Sequence, residues 1–178
     1  SQQAQKLAKK IKTIPIDIVL TSRYTRAYET SKIIAKEIIK PLEINEQLRE
    51  IKRPSRMEGR SVSDEVSLKI RELIKENIHD PEWHYDDEEN IADLITRARN
   101  FIRHLDKRKE TNILAVSHIR IIQAIVEVVI LGDILTPSIC EEIRQNIYLS
   151  NTGVTVLEKI NNHWNLLTWN DNAHLQGL

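Results

Sequence analysis

Three polar stations in this 178-residue chain hold residue types suited to work on an anion. The first is Ser117-His118, where the apolar run Ile113 to Val116 stops and a second apolar segment, residues 119–130, follows that is too long for another strand. Histidine carries or releases a proton near neutral pH, which makes His118 the first candidate for chemistry. The second station is Ser22 to Arg26, after the apolar stretch 16–20. An arginine one turn past a serine, at the start of a helical pattern, points its planar fork and the free backbone N–H groups at one anion. The third is Glu50, a carboxyl able to hand a proton to a leaving oxygen if burial near a dianion raises its pKa. Each residue also has a plainer reading: a core histidine hydrogen-bonded at a strand end, a helix-surface arginine, a solvated glutamate.

These stations fall at similar places in the secondary-structure pattern. Residues 2–13 read as a short amphipathic helix, 16–20 as a strand, and 25–40 as a helix whose apolar face is Ala27, Ile33, Ile34 and Ile38, closed by Pro41. Residues 42–48 alternate and predict an exposed edge strand, and 50–61 lack periodicity and predict a surface loop. A helix over 62–78, an acidic connection over 79–89 and a helix from Asn90 to Leu105 precede the strand at 113–116 and its following helix. A short helix at 137–145 and two strands, 154–160 and 164–169, joined by the turn pair Asn161-Asn162, complete the pattern. Alternating strands and helices followed by a hairpin predict an α/β sandwich with a mostly parallel sheet, built as one domain over residues 1–178. In such a sheet ligands bind beyond the carboxyl ends of the strands, where Ser22, Arg26, Glu50 and His118 are expected to converge.

Composition narrows the function classes. Lys plus Arg and Asp plus Glu number 26 each, so no global field draws the chain to nucleic acid or an anionic membrane, and any anion site is local. Aromatics are 4% of residues, too few for a base-stacking platform. One cysteine, Cys140, excludes an intrachain disulfide and fits a reducing compartment. No run approaches the roughly 20 apolar residues of a membrane span, and the first residues do not read as a signal peptide, so the expected location is cytoplasmic. His79, His84, His104, His118, His163 and His174 show no metal-ligand spacing, and neither a metal nor a cofactor is expected. Lys52, Arg53, Arg56 and Arg60 form a loop cluster that either meets a second anionic group or is solvated.

Thr21-Ser-Arg-Tyr-Thr-Arg-Ala-Tyr-Glu-Thr30 resembles the S-x-x-x-R-A-x-x-T signature of the histidine phosphatase (phosphoglycerate mutase-like) superfamily. Leu48-Arg-Glu50 with Glu58-Gly59 resembles its L-x-E and E-G segment, and Val116-Ser-His118 its second-histidine motif. The helix with Arg97 and Arg99, Asn151-Thr152 before a strand, and the ending from Trp169-Asn170 to His174-Leu175 are similar in order and spacing. The resemblance implies a three-layer α/β/α sandwich and a metal-independent phosphomonoester hydrolase or mutase that works through a phosphohistidine on a small phosphorylated metabolite. It implies Arg26, Ser22 and His118 as phosphate ligands, and His118, Glu50 and Arg26 as the catalytic set, with Glu50 the acid.

Two departures qualify it. The family's nucleophile belongs to an R-H-G motif at the end of a first strand, and no R-H-G occurs here. Arg103-His104-Leu105 is the lookalike, but it closes an amphipathic helix away from the strand ends. The nucleophile is therefore expected upstream of Ser1, on a strand whose loss would leave a gap inside the sheet. A catalytically inactive phosphate-binding or regulatory module is the other reading. The second departure is Ile119 where the family usually has Gly, and a β-branched residue will not tolerate positive φ, so the turn after His118 must differ or must not need that conformation.

Overall fold

The structure, a computed structural model, describes residues 2–175. Its elements follow the expected order: α1 (Gln2–Ile11), β1 (Ile18–Thr21), α2 (Thr25–Ile38), β2 (Leu42–Ile44), α3 (Glu65–Glu76), α4 (Ile91–Asp106), β3 (Ile113–Val116), α5 (Ile119–Leu131), α6 (Pro137–Asn146), β4 (Val154–Ile160) and β5 (His163–Asp171). Strands β2, β1 and β3 lie in that order in a parallel sheet, with Ile18 opposite Ile113 and Thr21 opposite Val116. Because β1 and β3 end in register, the segments that follow them, Ser22 to Arg26 and Ser117-His118, leave the sheet side by side.

Strands β1 and β3 supply the two faces of the core between them. Ile18 and Leu20 point into a cluster with Leu48, Leu94, Ala98, Phe101, Ile121, Ala124 and Ile125, which packs α4 and α5 on one face. On the other face Leu7, Ala8, Ile11 and Ile34 of α1 and α2 pack with Leu114, Val116 and Val154. The result is the expected α/β/α sandwich, and complete burial of side chains such as Leu20, Leu94 and Ile121 contributes about 1.5–3 kcal/mol each.

Strand β4 is not hydrogen-bonded to β3. It pairs with β5 alone, in an antiparallel hairpin whose turn residues Asn161 and Asn162 have φ 49° and 67°, as a type I′ turn requires. The hairpin is packed by side chains: Val154 joins the cluster holding Leu114 and Val116, and Leu157 joins the one holding Ile113. Among the described residues, the outer edge of β3 therefore has no ladder partner. Gly153, just before β4, is required by close approach, since a Cβ there would lie 2.0 Å from Asn170 Oδ1.

Alternation over 42–48 overstated one strand. β2 ends at Ile44, because Asn45 Oδ1 accepts the Gln47 N–H and turns Glu46–Leu48 into a 3₁₀ turn that drives Leu48 into the core. The helix predicted over 62–78 is shorter, with Asp64 accepting from Val66 and Ser67 N–H groups at its start. The turn into α5 makes no use of positive φ: Ile119 is the first helical residue.

Candidate active site

Five helices have described N-caps, and they fall into two groups. Asp64, Asn90 and Thr136 cap α3, α4 and α6 with side-chain oxygens, and Asn90 and Asp93 form a reciprocal capping box. Helices α2 and α5 begin at Tyr24 and His118 with no side-chain cap. These are the two helices that follow β1 and β3, so both uncapped N-termini open at the carboxyl edge of the parallel sheet. Unpaired N–H groups and two aligned helix dipoles favour an anion there.

The side chains between those helix ends form a contiguous set. His118 Nε2 lies 2.9 Å from Ser22 Oγ, and both residues are buried. Ser22 Oγ also accepts the Tyr24 N–H at 3.2 Å, which bends the chain into α2. The Tyr24 ring meets His118 edge-on, with centroids 5.3 Å apart, and the Arg26 guanidinium stands 5.5 Å from the centre of the same ring. Burial, followed by the charges of Arg26 and Arg97, holds His118 well below the usual imidazole range, at about 4, so its ring is neutral at pH 7. A neutral imidazole and a hydroxyl each have a donor and an acceptor, so their hydrogen bond survives a change of tautomer.

Glu50 is half-buried in the segment that follows the Glu46–Leu48 turn. Its Oε1 accepts the Ile51 N–H at 3.0 Å, and it makes no hydrogen bond to His118, Ser22 or Arg26. The link to the other station runs through backbone: Ser117 Oγ donates to the Leu48 carbonyl at 2.6 Å, so β3's end is tied to the segment carrying Glu50. His104 is in the last turn of α4, stacked on Phe101, at the end of the sheet where β3 begins. The basic loop cluster is largely engaged: Lys52 pairs with Asp87, Arg56 donates to the Tyr85 hydroxyl, and Arg60 reaches Asp64, while Arg53 is exposed. Among the described residues, no group of three or more His, Cys, Asp or Glu is gathered to hold a metal.

Tyr24 and the pair Glu89–Arg97 were not singled out as site residues by sequence reasoning. Tyr24 is read only as a variable position within the signature, and the eight-residue spacing of Glu89 and Arg97 across a helix start carries no recognisable period.

A parallel sheet between helical layers, with two uncapped helix ends around a serine, an arginine and a histidine, defines an α/β protein whose sheet edge is open to an anion. The chain belongs to the histidine phosphatase superfamily (branch 1), whose family model matches residues 1–172. Its fold is similar to that of Bacillus stearothermophilus YhfR, with 21% identity, a TM-score of 0.80, and 98% of this chain and 84% of that one covered. It is also similar to alpha-ribazole phosphatase from Shigella flexneri, at 19% identity and a TM-score of 0.77 over 96% of this chain and 81% of that one. A variant of Entamoeba histolytica phosphoserine phosphatase in complex with phosphoserine matches at 24% identity and a TM-score of 0.69 over 98% and 83% of the two chains. No curated protein sequence matches the chain. No helix among the described residues is long and apolar enough to cross a membrane.

Proposed function

We propose that the described elements act as one cytoplasmic phosphatase domain that hydrolyses the phosphomonoester of a small metabolite through a phosphohistidine. The observation that carries this reading is the in-register ending of β1 and β3 in two uncapped helices, with Ser22, Arg26 and His118 between them. Phosphoryl transfer needs charge stabilised around the equatorial oxygens and a proton for the departing alcohol. Arg26 supplies a fork for two oxygens, the helix N–H groups supply neutral donors, and the neutral Ser22–His118 pair, which spends one of its two protons on its own hydrogen bond, donates the other without adding a buried cation. Glu50 protonates the leaving oxygen.

The nucleophile is a histidine on a strand laid along the open edge of β3. That reading is supported by the outer edge of β3, which has no ladder partner among the described residues, and by the place of His104 in the last turn of α4, the helix that precedes β3. Its imidazole nitrogen attacks phosphorus as the P–O ester bond breaks and Glu50 gives its proton to the alcohol. Water then attacks the phosphohistidine, losing its proton to Glu50 and releasing phosphate.

The test is hydrolysis of aryl phosphates, with chelator present, by residues 1–178 and by the same chain carrying an added N-terminal strand that ends in Arg-His-Gly. The extended chain is expected to turn over and to yield an acid-labile phosphoprotein on quenching. Equal turnover by the two chains would overturn the assignment of the nucleophile. Vanadate binding without turnover in the extended chain would reassign the protein as a phosphate-binding module.

A further inference from the structure

We propose that Arg97 and Glu89 are positioning residues that hold Glu50 at the mouth of the crevice, an inference that rests on Glu50 facing a bound phosphoryl group. Glu89 ends the acidic connection before α4, and Arg97 lies two turns into that helix. Arg97 Nε and Nη2 donate to the two oxygens of Glu89 at 2.6 and 2.8 Å. The remaining terminal nitrogen, Nη1, donates to two carbonyls, Gln47 O and Arg49 O, each at 2.7 Å. The carbonyl between them, Leu48 O, is the acceptor of Ser117 Oγ. Three consecutive carbonyls are thus held, two by a helix on one face of the sheet and one by the residue preceding His118.

Glu89 completes the clamp from the other side. Its Oε2 accepts from Arg49 Nη1 at 2.7 Å and from the Lys52 N–H at 3.2 Å, and its own N–H donates to Lys52 O at 3.0 Å. The backbone on both flanks of Glu50 is therefore fixed, at 47–49 by Arg97 and at 52 by Glu89. The Glu50 carboxyl itself receives only the N–H of Ile51, which leaves Oε2 without a protein partner. A stiff backbone around a side chain with spare hydrogen-bonding capacity suits an acid that must meet a ligand oxygen, since small errors of placement are costly in proton transfer. The side chains of Glu89 and Arg97 are only 7% and 11% exposed, so their pairing is shielded from salt and held in a bidentate geometry that lysine cannot reproduce. Arg97 is also one of the two charges that lower the pKa of His118. Its two effects are separable, because the charge acts on His118 and the fork acts on the loop.

The test uses Arg97→Lys, Arg97→Gln and the near-isosteric Glu89→Gln, with orthovanadate as probe. Amide hydrogen exchange at Arg49 and Lys52, whose N–H groups are hydrogen-bonded on either side of Glu50, is expected to rise at least tenfold in all three, with Leu94 and Ala98 in α4 unchanged. In the wild type the carboxyl ¹³C signal of Glu50 is expected to move on vanadate saturation. In the variants that movement should fall to less than a third, although vanadate is still bound. Arg97→Lys should keep the His118 titration near its wild-type position and yet fail to restore the Glu50 signal. Wild-type exchange at Arg49 and Lys52 in the folded variants, or an undiminished vanadate response, would overturn the proposal. Absence of vanadate binding in the wild type would sink the phosphate site itself, and the exchange data alone would then decide whether the clamp exists.

Discussion

His118 Nε2 and Ser22 Oγ are joined at 2.9 Å across the seam between β3 and β1, with 5% and 0% of their surfaces exposed. The bond locks together the first residue beyond β1 and the second beyond β3, where each chain segment is about to enter a helix without a side-chain cap. It also explains how a buried polar pair is tolerated beside two arginine charges: each group satisfies the other while the imidazole stays neutral.

The protonation state of His118 gives a direct prediction. In the free protein its ring should titrate near 4, and binding of phosphate or vanadate should raise that midpoint, because a dianion offsets the arginine charges. NMR titration of the His118 ring protons with and without vanadate reads both values. Stability follows from the same shift. The unfolded histidine titrates near 6.5, so between about 6.5 and 4 the unfolded chain binds more protons than the folded one, and stability should fall as pH drops through that window. Urea unfolding at pH 7 and pH 5 measures the difference, to which other titrating groups add, so the His118→Gln variant isolates it.

Arg26 should matter for the ligand and little for the fold. It is exposed, and its contact in the free protein is with the Tyr24 ring. A charge-assisted fork to an oxyanion is worth about 1.5–3 kcal/mol, so Arg26→Ala should weaken vanadate binding roughly 10- to 150-fold. Calorimetric titration of both proteins checks this. Equal affinities would remove Arg26 from the clamp.

A stability prediction concerns a residue remote from the site. Ile39 follows α2 with φ 55° and ψ 56°, a left-handed conformation, and is 87% exposed. That conformation costs an L-residue about 1–2 kcal/mol, and β-branching does not help. Its N–H still closes the helix by donating to the Ala35 carbonyl, which glycine would preserve. After the entropy that glycine restores to the unfolded chain, Ile39→Gly should stabilise by about 0.5–1 kcal/mol. A higher urea midpoint at constant m-value is the expected observation.

The layers, the parallel strands and the place of Ser22, Arg26 and His118 just beyond the strand ends were legible because those features rest on local signals, whereas Glu50, expected in the same crevice, has no hydrogen bond to any of the three. Apolar runs of strand length end at polar residues, and amphipathic helices follow. Two features were not legible. Leu48 alternates like a strand residue, but the Asn45 side chain outcompeted the ladder by capping a turn. The Arg97 fork reaches Gln47 and Arg49, 50 and 48 residues away, and no pattern within a helix encodes partners at that separation. The partners of the basic loop cluster were out of reach for a related reason, since Asp87, which pairs with Lys52, lies 35 residues on in sequence.

The final prediction separates the acid from the phosphate ligands. In the chain extended by an Arg-His-Gly strand, Glu50→Gln removes a proton donor but no positive charge, so its effect should depend on how much the leaving alcohol needs protonation. With an alkyl phosphate, whose alkoxide is a poor leaving group, the loss should be roughly 10²–10⁴-fold in kcat. With 4-nitrophenyl phosphate, whose phenolate departs unaided, it should be much smaller. His118→Ala should instead depress kcat on both substrates, because its hydrogen bond strengthens as charge builds on the transferring oxygens whatever the leaving group. The measurement is kcat for both variants on both substrates. If Glu50→Gln lowers the two rates by the same factor, Glu50 holds substrate or fold rather than giving a proton, and the acid must be sought elsewhere on the crevice rim.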